Sequence, residues 1–408
     1  MPGQARGVLR HGPVGSPADI LVLRAAELRE FTSRAAGVVA VDAPLLGHSM
    51  LRLLGRGIPT VAISEAEAAQ LSDGTPVLLD GASGRIGASS EPLAAPPPRP
   101  VAGRPVMSAD GAPVELRASV RDAQGAAVAI ASGATAIGLV RSEQLAPAGS
   151  AAPDAAFYAQ ALGALCEAAR PLAVTVRLLD IAPDKRPAWL AAALPAVPFG
   201  MQGARAYTWP AVRAVLDAQI TALAQLARPR DLRVLVPYVT DLTEFEHWRE
   251  RLRQDLPVTV PIGAMAETPA AALAIGELLA VADFVALGCN DLMQCLFGAD
   301  RDAASLRRYL DPYAPVLYRF LRSIAAAAGV DIARVQVCGL LPQLQGVLPV
   351  LLGLGFRNFS VDPVTVPYLA LTVAATRVSE ATTLADSVCA AQRSCEVVTL
   401  LGVPGWVA

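Results

Sequence analysis

Carboxylate, amide, guanidinium and thiol side chains follow several short apolar segments of this sequence. In VADFVALGCNDLMQCLFGADRD, residues 281–302, an apolar run is followed by Asn290 and Asp291, and Arg301 comes ten residues later. An amide and a carboxylate at the end of a buried strand can cap a helix. They can also hold a hard cation, with the arginine binding an anion beside it.

The same pattern occurs in other apolar segments. Arg141 follows AIGLV, Arg177 lies within AVTVRLL, Glu267 follows VTVPIGAM, and Cys338 lies in VQVCG. Two carboxylates with few other protein ligands suit Mg²⁺, which keeps water ligands and shares substrate phosphate oxygens. A cation beside several arginines requires a strongly anionic ligand, such as a small phospho-carboxylate. A thiol on the same face can donate or accept a proton.

Each of these residues also has a purely structural interpretation. Arg141 can pair with Glu143 at the surface, Glu267 can favour the start of a helix, and Cys338 can be a packing residue. Arg177 is harder to explain in this way because an unpaired buried arginine is costly. The shared position at strand ends favours the functional interpretation.

Short apolar strands alternate with amphipathic or Ala-rich helices over residues 108–408. The predicted strands are 116–120, 136–140, 173–179, 233–238, 258–265, 284–288, 335–339 and 358–362. The predicted helices are 121–132, 154–170, 205–227, 242–254, 269–281, 303–329 and 342–354. This rhythm predicts a TIM-type (β/α)8 barrel, in which catalytic residues gather at the C-terminal strand ends. A doubly wound open sheet is the alternative, but the Gly-rich turn of a dinucleotide site is missing.

A Pro-rich segment, GASSEPLAAPPPRPVAGRP, divides this body from a smaller first part. It is typical of an extended, semi-rigid linker. We therefore predict a first domain over residues 1–86, a linker over 87–107 and a barrel over 108–408. In the first domain, DILVL, GVVAV, TVAIS and PVLLD are predicted strands, and GHSMLRLLGRGIP contains a helix.

Composition restricts the class of protein. Hydrophobic residues make up 53% of the 408, charged residues 17%, and the net charge is −2, so a nucleic-acid footprint is not indicated. No apolar run reaches the ~18 residues of a membrane helix, and the polar start lacks a signal peptide. Six scattered cysteines predict reduced thiols in the cytoplasm.

Six segments together resemble the phosphoenolpyruvate-utilizing enzymes, and most nearly enzyme I of the bacterial sugar phosphotransferase system. They are SVRDAQGAAVAIASGATAIGLVRSE, VTVRLLDIAPDK, RVLVPYVTDLTEF, PIGAMAETPAA, DFVALGCNDLMQCLFGADRD and VCGLLPQ with LLGLGFRNFSVDP. The resemblance extends from about residue 37 to the C-terminal helices. It implies an α/β protein in which a small swivelling phosphohistidine domain precedes a phosphoenolpyruvate-binding TIM barrel.

The resemblance also implies roles for individual residues of the barrel. Arg141, Arg177 and Arg301 match arginines that bind phosphoenolpyruvate (PEP), and Asn290 matches a contact to the phosphoryl group. Glu267 and Asp291 match the two Mg²⁺ ligands. Cys338 matches the thiol that protonates enolpyruvate, while Lys185 and Arg205 match cationic positions around the phosphoryl site.

In the first domain the resemblance singles out His48. The segment APLLGHSMLRLLGRGIPTVAIS places His48 eleven residues before Pro59, as in the family's phosphohistidine motif. His11 and His247 lie outside any such pattern and are interpreted as structural.

The sequence departs from the family pattern at several points. The turn before His48 lacks the paired glycines and the Thr-Ser that orient the imidazole. Gln202 replaces an arginine, which removes a positive charge from the phosphoryl site, and Leu340 replaces a glutamate, which removes a polar neighbour of the thiol. We expect neither the carrier-docking helical domain of enzyme I nor the ATP-binding domain of the dikinases.

The predicted function is PEP-dependent phosphotransfer that forms pyruvate and phospho-His48 for an unknown acceptor, either a phosphocarrier protein or a small molecule. One alternative is a PEP-consuming biosynthetic enzyme, and another is a regulatory protein that binds PEP without turnover. A third is a dikinase-type component whose nucleotide domain lies on a separate chain. The resemblance further implies a homodimer formed through the barrel.

Overall fold

Two β-sheets joined by an irregular segment make up the protein. The structure is a computed structural model that describes residues 2–147, 151–181, 187–190, 200–227 and 231–403. We call residues 2–88, which carry the smaller sheet, the head, and residues 106–403, which carry the larger sheet, the barrel.

The head sheet contains six strands within the described residues, in the order β4-β3-β2-β1-β5-β6. The strands are β1 Gln4–His11, β2 Ile20–Arg24, β3 Gly37–Val41, β4 Thr60–Ile63, β5 Pro76–Asp80 and β6 Arg85–Ala88. Helices α1 Ala25–Glu30, α2 His48–Gly55 and α3 Glu65–Ala68 complete the head. Strands β1 to β4 run parallel, whereas β5 is antiparallel to both β1 and β6. Strand β1 was not predicted, because only Ala5 and Leu9 of its side chains are buried and its sequence is otherwise polar.

The barrel contains eight parallel strands in the part of the chain that the structure describes, and β15 pairs with β8 to close it. These strands are β8 Pro113–Val120, β9 Ile137–Arg141, β10 Val174–Arg177, β11 Leu232–Val239, β12 Ile262–Ala266, β13 Val285–Gly288, β14 Val335–Cys338 and β15 Asn358–Val361. A two-residue strand, β7 Val106–Met107, lies antiparallel to β8. The predicted barrel is therefore confirmed, and the alternative of an open sheet is wrong.

Helices follow most of the barrel strands. They are α4 Ala123–Ala131, α5 Ala155–Ala168, α6 Pro210–Ala227, α7 Leu242–Arg253, α8 Pro269–Leu273, α9 Ile275–Val281, α10 Cys289–Phe297, α11 Pro315–Ala328, α12 Val347–Gly353, α13 Val366–Ala375, α14 Val378–Ala390 and α15 Ser394–Leu400. Several predicted helices are divided in the structure. The predicted helix 269–281 becomes α8 and α9, and the predicted helix 303–329 becomes a 3₁₀ helix, Ala304–Tyr309, followed by α11.

Residues 89–105 contain neither helix nor strand. This matches the irregular character expected of the Pro-rich segment. The predicted domain boundaries and the linker role of this segment stay predictions.

Helix α2 packs the head against the barrel. Its residues Met50, Leu53 and Leu54 are buried in the same continuous apolar cluster as the barrel core. In β2, Leu21 and Leu23 belong to that cluster, whereas their neighbours face a second cluster on the opposite side of the head sheet. The alternation of side chains along a strand thus lets one sheet serve both cores. The first residue of α2, His48, comes to the C-terminal ends of the barrel strands.

Candidate active site

The polar residues predicted at strand ends meet in one pocket. Arg141 and Arg177 are the last residues of β9 and β10, Glu267 directly follows β12, and Cys338 ends β14. We call the space they share the barrel pocket; it holds about 450 Å³ of empty volume. It is lined by His48, Leu51, Leu139, Arg141, Glu143, Gln144, Arg177, Met265, Glu267, Gly288, Asn290, Asp291, Arg301, Cys338 and Gly339.

Arg177 is fixed in this pocket by buried carboxylates. Its guanidinium lies 2.5 Å from Glu143, 2.8 Å from Asp180 and 3.8 Å from Glu267. Burial alone would lower the pKa of Arg177, but the charges of Asp180, Glu143 and Glu267 outweigh burial and raise it. The side chain is therefore charged and held in one orientation. Glu143 thus pairs with Arg177 inside the protein rather than with Arg141 at the surface.

Arg141 presents the opposite case. Its guanidinium forms no ion pair or hydrogen bond with any side chain in the described part of the protein. Burial lowers the pKa of Arg141, and the neighbouring charge of Arg177 lowers it further. A desolvated cation without a counter-ion favours binding of an anion.

Glu267 and Asp291 are the two carboxylates predicted to bind metal, and both are buried in the pocket wall. Glu267 accepts a hydrogen bond from the backbone N–H of Tyr238 at 3.1 Å, and Tyr238 has a positive φ of 52° that a non-glycine residue rarely adopts. Asp291 lies 3.3 Å from the guanidinium of Arg301. The alternative in which Asn290 or Asp291 is an N-cap is wrong, because Gly288 is the N-cap of α10; the side chain that caps α8 is that of Thr268, next to Glu267.

The donor set fits Mg²⁺ rather than a metal held wholly by protein. Among the described residues, no group of three or more His, Cys, Asp or Glu side chains could hold a metal ion. Two carboxylates leave most of an octahedral shell to water and to phosphate oxygens, as Mg²⁺ usually requires. Asn290 adds little to such a shell, since its Oδ1 already accepts the N–H of Leu340 at 3.0 Å.

Cys338 lies in a small cluster inside the barrel with Leu139, Leu235 and Met265. Burial raises the pKa of its thiol to about 11, although a hydrogen bond from Gln336 Nε2 at 3.1 Å acts in the opposite direction. The thiol is therefore protonated at neutral pH. Leu340 supplies no polar group to the thiol, whereas Gln336 of the same strand does.

His48 enters the pocket from the head. Its Nδ1 lies 2.7 Å from Oδ2 of Asp302, and its backbone N–H donates to Oδ1 of the same carboxylate at 2.8 Å. Its Nε2 lies 3.2 Å from the guanidinium of Arg301. A carboxylate on Nδ1 favours the tautomer that leaves the lone pair on Nε2, on the side of the pocket.

The structure does not bring every predicted site residue into the pocket. Arg205 is not among the lining residues; its guanidinium donates to Thr240 at 2.7 Å and lies over the ring of Tyr238. Gln202 is buried and is likewise not part of the lining. Lys185 lies outside the described residues.

Asp302 is the site residue that the sequence did not reveal. It belongs to the Asp300-Arg301-Asp302 cluster, in which only the arginine had an assigned role. Its partner lies 254 residues away in the sequence, so no local pattern connects the two. The one available signal was a second carboxylate beside a predicted ligand-binding arginine.

A sequence model of the family described as "PEP-utilising enzyme, PEP-binding domain" matches residues 101–378. This chain belongs to the PEP-utilising enzyme family. The match covers every strand of the closed barrel and all of the predicted PEP and metal residues, and it confirms the family predicted from the sequence.

Curated relatives of this PEP-utilising enzyme extend over both the head and the barrel. A phosphoenolpyruvate-protein phosphotransferase of Haloferax volcanii is 29% identical over 389 residues, which are 90% of this chain and 68% of the relative. One of Streptomyces coelicolor is 30% identical over 356 residues, or 83% of this chain and 63% of the relative. A multiphosphoryl transfer protein of Xanthomonas campestris is 29% identical over 351 residues, or 81% of this chain and 42% of the relative. The chain thus spans only part of the length of these relatives, whose names agree with the predicted phosphotransfer.

Within the part of the chain that the structure describes, no helix has both the length and the apolar character needed to cross a membrane. The predicted cytoplasmic location stays a prediction.

Proposed function

We propose that this PEP-utilising enzyme moves the phosphoryl group of PEP onto Nε2 of His48 and releases pyruvate. The observation that carries the proposal is the position of His48. A histidine of the head has its Nε2 3.2 Å from Arg301, in a pocket whose walls also hold two further arginines and three carboxylates. This is the arrangement needed to bind a phospho-carboxylate and to present a nucleophile to it.

The arginines would bind the anion in complementary ways. Arg177 is held rigid by its carboxylate partners, and Arg141 has no competing counter-ion among the described residues. Rigid cations placed where charge develops stabilise a transferring phosphoryl group without reorganisation. Glu267 and Asp291 would hold Mg²⁺, which would neutralise part of the phosphate charge.

In the transfer step, the lone pair of Nε2 attacks phosphorus and the bond between phosphorus and the enol oxygen breaks. The electron pair of that bond remains on the enolate. The thiol of Cys338 then gives its proton to the methylene carbon, which yields pyruvate and a thiolate that regains a proton from solvent. A thiol that is protonated at neutral pH suits this donation.

Incubation with PEP and Mg²⁺, followed by intact mass measurement, tests the proposal. We expect a mass gain of one phosphoryl group that is lost in acid, is absent from His48→Ala and is retained in His11→Ala, a control at an exposed histidine. Removal of the metal with a chelator should prevent the gain. An acid-labile phosphate that persists in His48→Ala would contradict the histidine role, and pyruvate release without any phosphoenzyme would favour the biosynthetic alternative.

The final acceptor is proposed to be a phosphocarrier protein, since the relatives named phosphoenolpyruvate-protein phosphotransferase have a protein acceptor in their name, or a small molecule. We also propose a homodimer formed through the barrel. Leu273 on α8 and Val316 on α11 are apolar and exposed on neighbouring helices, which a second copy could cover. Sedimentation velocity tests this, since Leu273→Asp with Val316→Asp should convert a dimer to a monomer.

A further inference from the structure

A second pocket lies between the head and the barrel, beside the barrel pocket. It has about 540 Å³ of empty volume and opens to solvent, and its lining includes His48 and Arg52 of the head and Arg121, Arg141, Ser360 and Asp362 of the barrel. We call it the seam pocket. His48 and Arg141 border both pockets, whereas Arg121 and Asp362 line only the seam pocket.

The charge of this lining is unbalanced. Three guanidinium groups, those of Arg52, Arg121 and Arg141, face one carboxylate, that of Asp362. In the described part of the chain, neither Arg121 nor Arg141 forms an ion pair. Two cationic groups that share a half-buried space repel each other unless an anion joins them.

The individual groups are positioned to bind an anion from several sides. Arg52 is held at the rim by the carbonyls of Leu28 and Arg29, at 3.0 and 2.6 Å. Arg121 reaches the head at Gly55, where a Cβ would come within 2.3 Å of its guanidinium. The absence of a side chain at Gly55 is therefore what lets this arginine lie in the seam.

Asp362 does not neutralise the arginines by direct contact. It forms no ion pair within the described residues, and its Oδ1 accepts the N–H of Val364 at 3.2 Å. Burial raises the pKa of Asp362, so the charged form that would attract the neighbouring arginines is less favoured than for an exposed carboxylate.

The position in the barrel favours a phosphate ligand. Gly339 and Gln343 follow β14, Asp362 follows β15, and these are the seventh and eighth strands of the barrel. The loops after strands seven and eight form a phosphate-binding site in many TIM barrels. The hydroxyls of Ser119 and Ser360, which lie 2.9 Å apart, add neutral donors of the kind that phosphate oxygens accept.

We propose that the seam pocket binds a phosphate group distinct from that of PEP, and that this binding stabilises the docked position of the head. The ligand contacts α2 on one side and the ends of β8, β9 and β15 on the other. A ligand that binds only when both surfaces are together must shift the equilibrium towards the docked form.

Calorimetric titration with inorganic phosphate, in the absence of PEP, tests the site separately from the phosphotransfer reaction. Arg121→Gln should weaken phosphate binding at the seam by about tenfold or more, because a charge-assisted hydrogen bond is lost. Arg393→Gln, at an exposed arginine of the C-terminal region, is the matched control and should bind as the wild type does. Phosphate that binds weakly in the barrel pocket would still bind to Arg121→Gln. Only the part of the binding heat that this variant loses therefore measures binding in the seam pocket.

Hydrogen exchange of α2 provides the second readout. Phosphate should slow exchange across residues 48–55 in the wild type and in Arg393→Gln, but not in Arg121→Gln. A parallel titration with glycerol phosphate identifies the source of the group, since tighter binding of the ester indicates a phosphorylated metabolite and tighter binding of inorganic phosphate indicates the free ion.

Two results would overturn the proposal. One is equal binding of both probes by the wild type and Arg121→Gln. The other is a loss of PEP-dependent labelling of His48 in Arg121→Gln by the same factor as the loss of phosphate affinity, which would assign Arg121 to the PEP pocket. Failure of His48 to become phosphorylated in any variant would count against the proposed function and leave the phosphate titration interpretable.

Discussion

Asp302 gives His48 its orientation through two hydrogen bonds from one carboxylate. One oxygen holds the backbone N–H and the other holds Nδ1, so both the position of α2 and the direction of the imidazole depend on it. Burial alone would raise the pKa of Asp302, but the hydrogen bond and charge of His48 lower it from 3.8 to about 2. The contribution of this carboxylate to docking is therefore present above about pH 4 and is lost as the pH falls through about 2.

We predict that Asp302→Asn slows phosphorylation of His48 by about 10²-fold or more, because the amide no longer fixes the tautomer that carries the lone pair on Nε2. Rapid-quench measurement of phosphoenzyme formation at several PEP concentrations checks this. The half-saturating PEP concentration should change little, since Asp302 does not line the barrel pocket. Asp300→Asn, which keeps an acceptor for the N–H of Asp302, is the control. Equal rates for the two variants would show that Asp302 has no such role.

The protonated thiol of Cys338 predicts a particular pH dependence. The reverse of the protonation step removes a proton from the methyl group of pyruvate and needs the thiolate. Because burial raises the pKa of Cys338 to about 11, exchange of pyruvate methyl protons with deuterium should accelerate up to about pH 11. The slope should be roughly tenfold per pH unit, as for a base with one titrating proton.

Proton NMR of pyruvate in deuterated buffer with Mg²⁺ measures that exchange. Cys338→Ala should reduce it by about 10²-fold or more, the usual contribution of a positioned acid or base. Cys389→Ala, at a buried thiol of α14, serves as the control. Exchange that is unaffected by Cys338→Ala would assign the proton transfer to another group.

Residue types adjacent to apolar segments made most of the barrel pocket predictable. Arg141, Arg177, Glu267 and Cys338 each lie next to or within a strand, so the local sequence reveals both the side chain and its place at the strand end. The contact of Asp302 with the head depends on how two distant parts of the chain pack, and that information is absent from any short segment.

At the scale of elements, the eight barrel strands were predictable because buried parallel strands are continuous apolar runs. The observed strand ends differ from the predicted ones by a few residues. The predicted strand 258–265, for example, corresponds to β12, which begins at Ile262. The prediction of one helix over 303–329 is wrong in its first part. Pro312 and Pro315 interrupt regular backbone hydrogen bonding there, and α11 begins only at Pro315.

Strand β13 packs against β12 closely enough to set the position of a carboxylate. A Cβ at Gly288 would lie 2.5 Å from both Cγ and Oε1 of Glu267. We predict that Gly288→Ala displaces Glu267 and raises the Mg²⁺ concentration needed for phosphorylation of His48 by about tenfold, the typical effect of disturbing a residue that orients a metal ligand. A Mg²⁺ titration of the labelling rate measures this.

Gly163→Ala is the matched control for that substitution. A Cβ at Gly163 would meet only Leu226 Cδ2, at an ordinary 3.6 Å, in the interior of α5. It should leave the Mg²⁺ dependence unchanged and stabilise the helix by about 0.5–1 kcal/mol. The same Mg²⁺ requirement in Gly288→Ala and the wild type would mean that Glu267 does not bind the metal.

At the scale of the whole molecule, the loop after α10 joins the barrel to the head at more than one point. Besides Asp302, Arg307 pairs with Asp42 of the head at 2.7 Å, and both side chains are about 40% or more exposed. Exposed ion pairs contribute little because water and salt screen them.

We therefore predict that Asp42→Asn slows phosphorylation of His48 by less than about fivefold, in line with the ~1 kcal/mol upper range of exposed ion pairs. Rapid-quench phosphoenzyme measurements alongside Asp302→Asn make the comparison. A defect in Asp42→Asn as large as that of Asp302→Asn would mean that the exposed pair, rather than the half-buried contact of Asp302 with His48, controls docking.

The two hydrogen bonds between Asp302 and His48 join the barrel to the head, and this has a consequence for the direction of phosphate flow. If the head moves away after phosphorylation, the histidine leaves behind the carboxylate that oriented it and the arginines that stabilised the transferring group. Return of the phosphoryl group to pyruvate then requires re-docking, whereas an acceptor elsewhere needs only the exposed phosphohistidine. Movement of phospho-His48 away from Asp302 and the arginines would thus slow the return of the phosphoryl group to pyruvate more than its transfer to an acceptor.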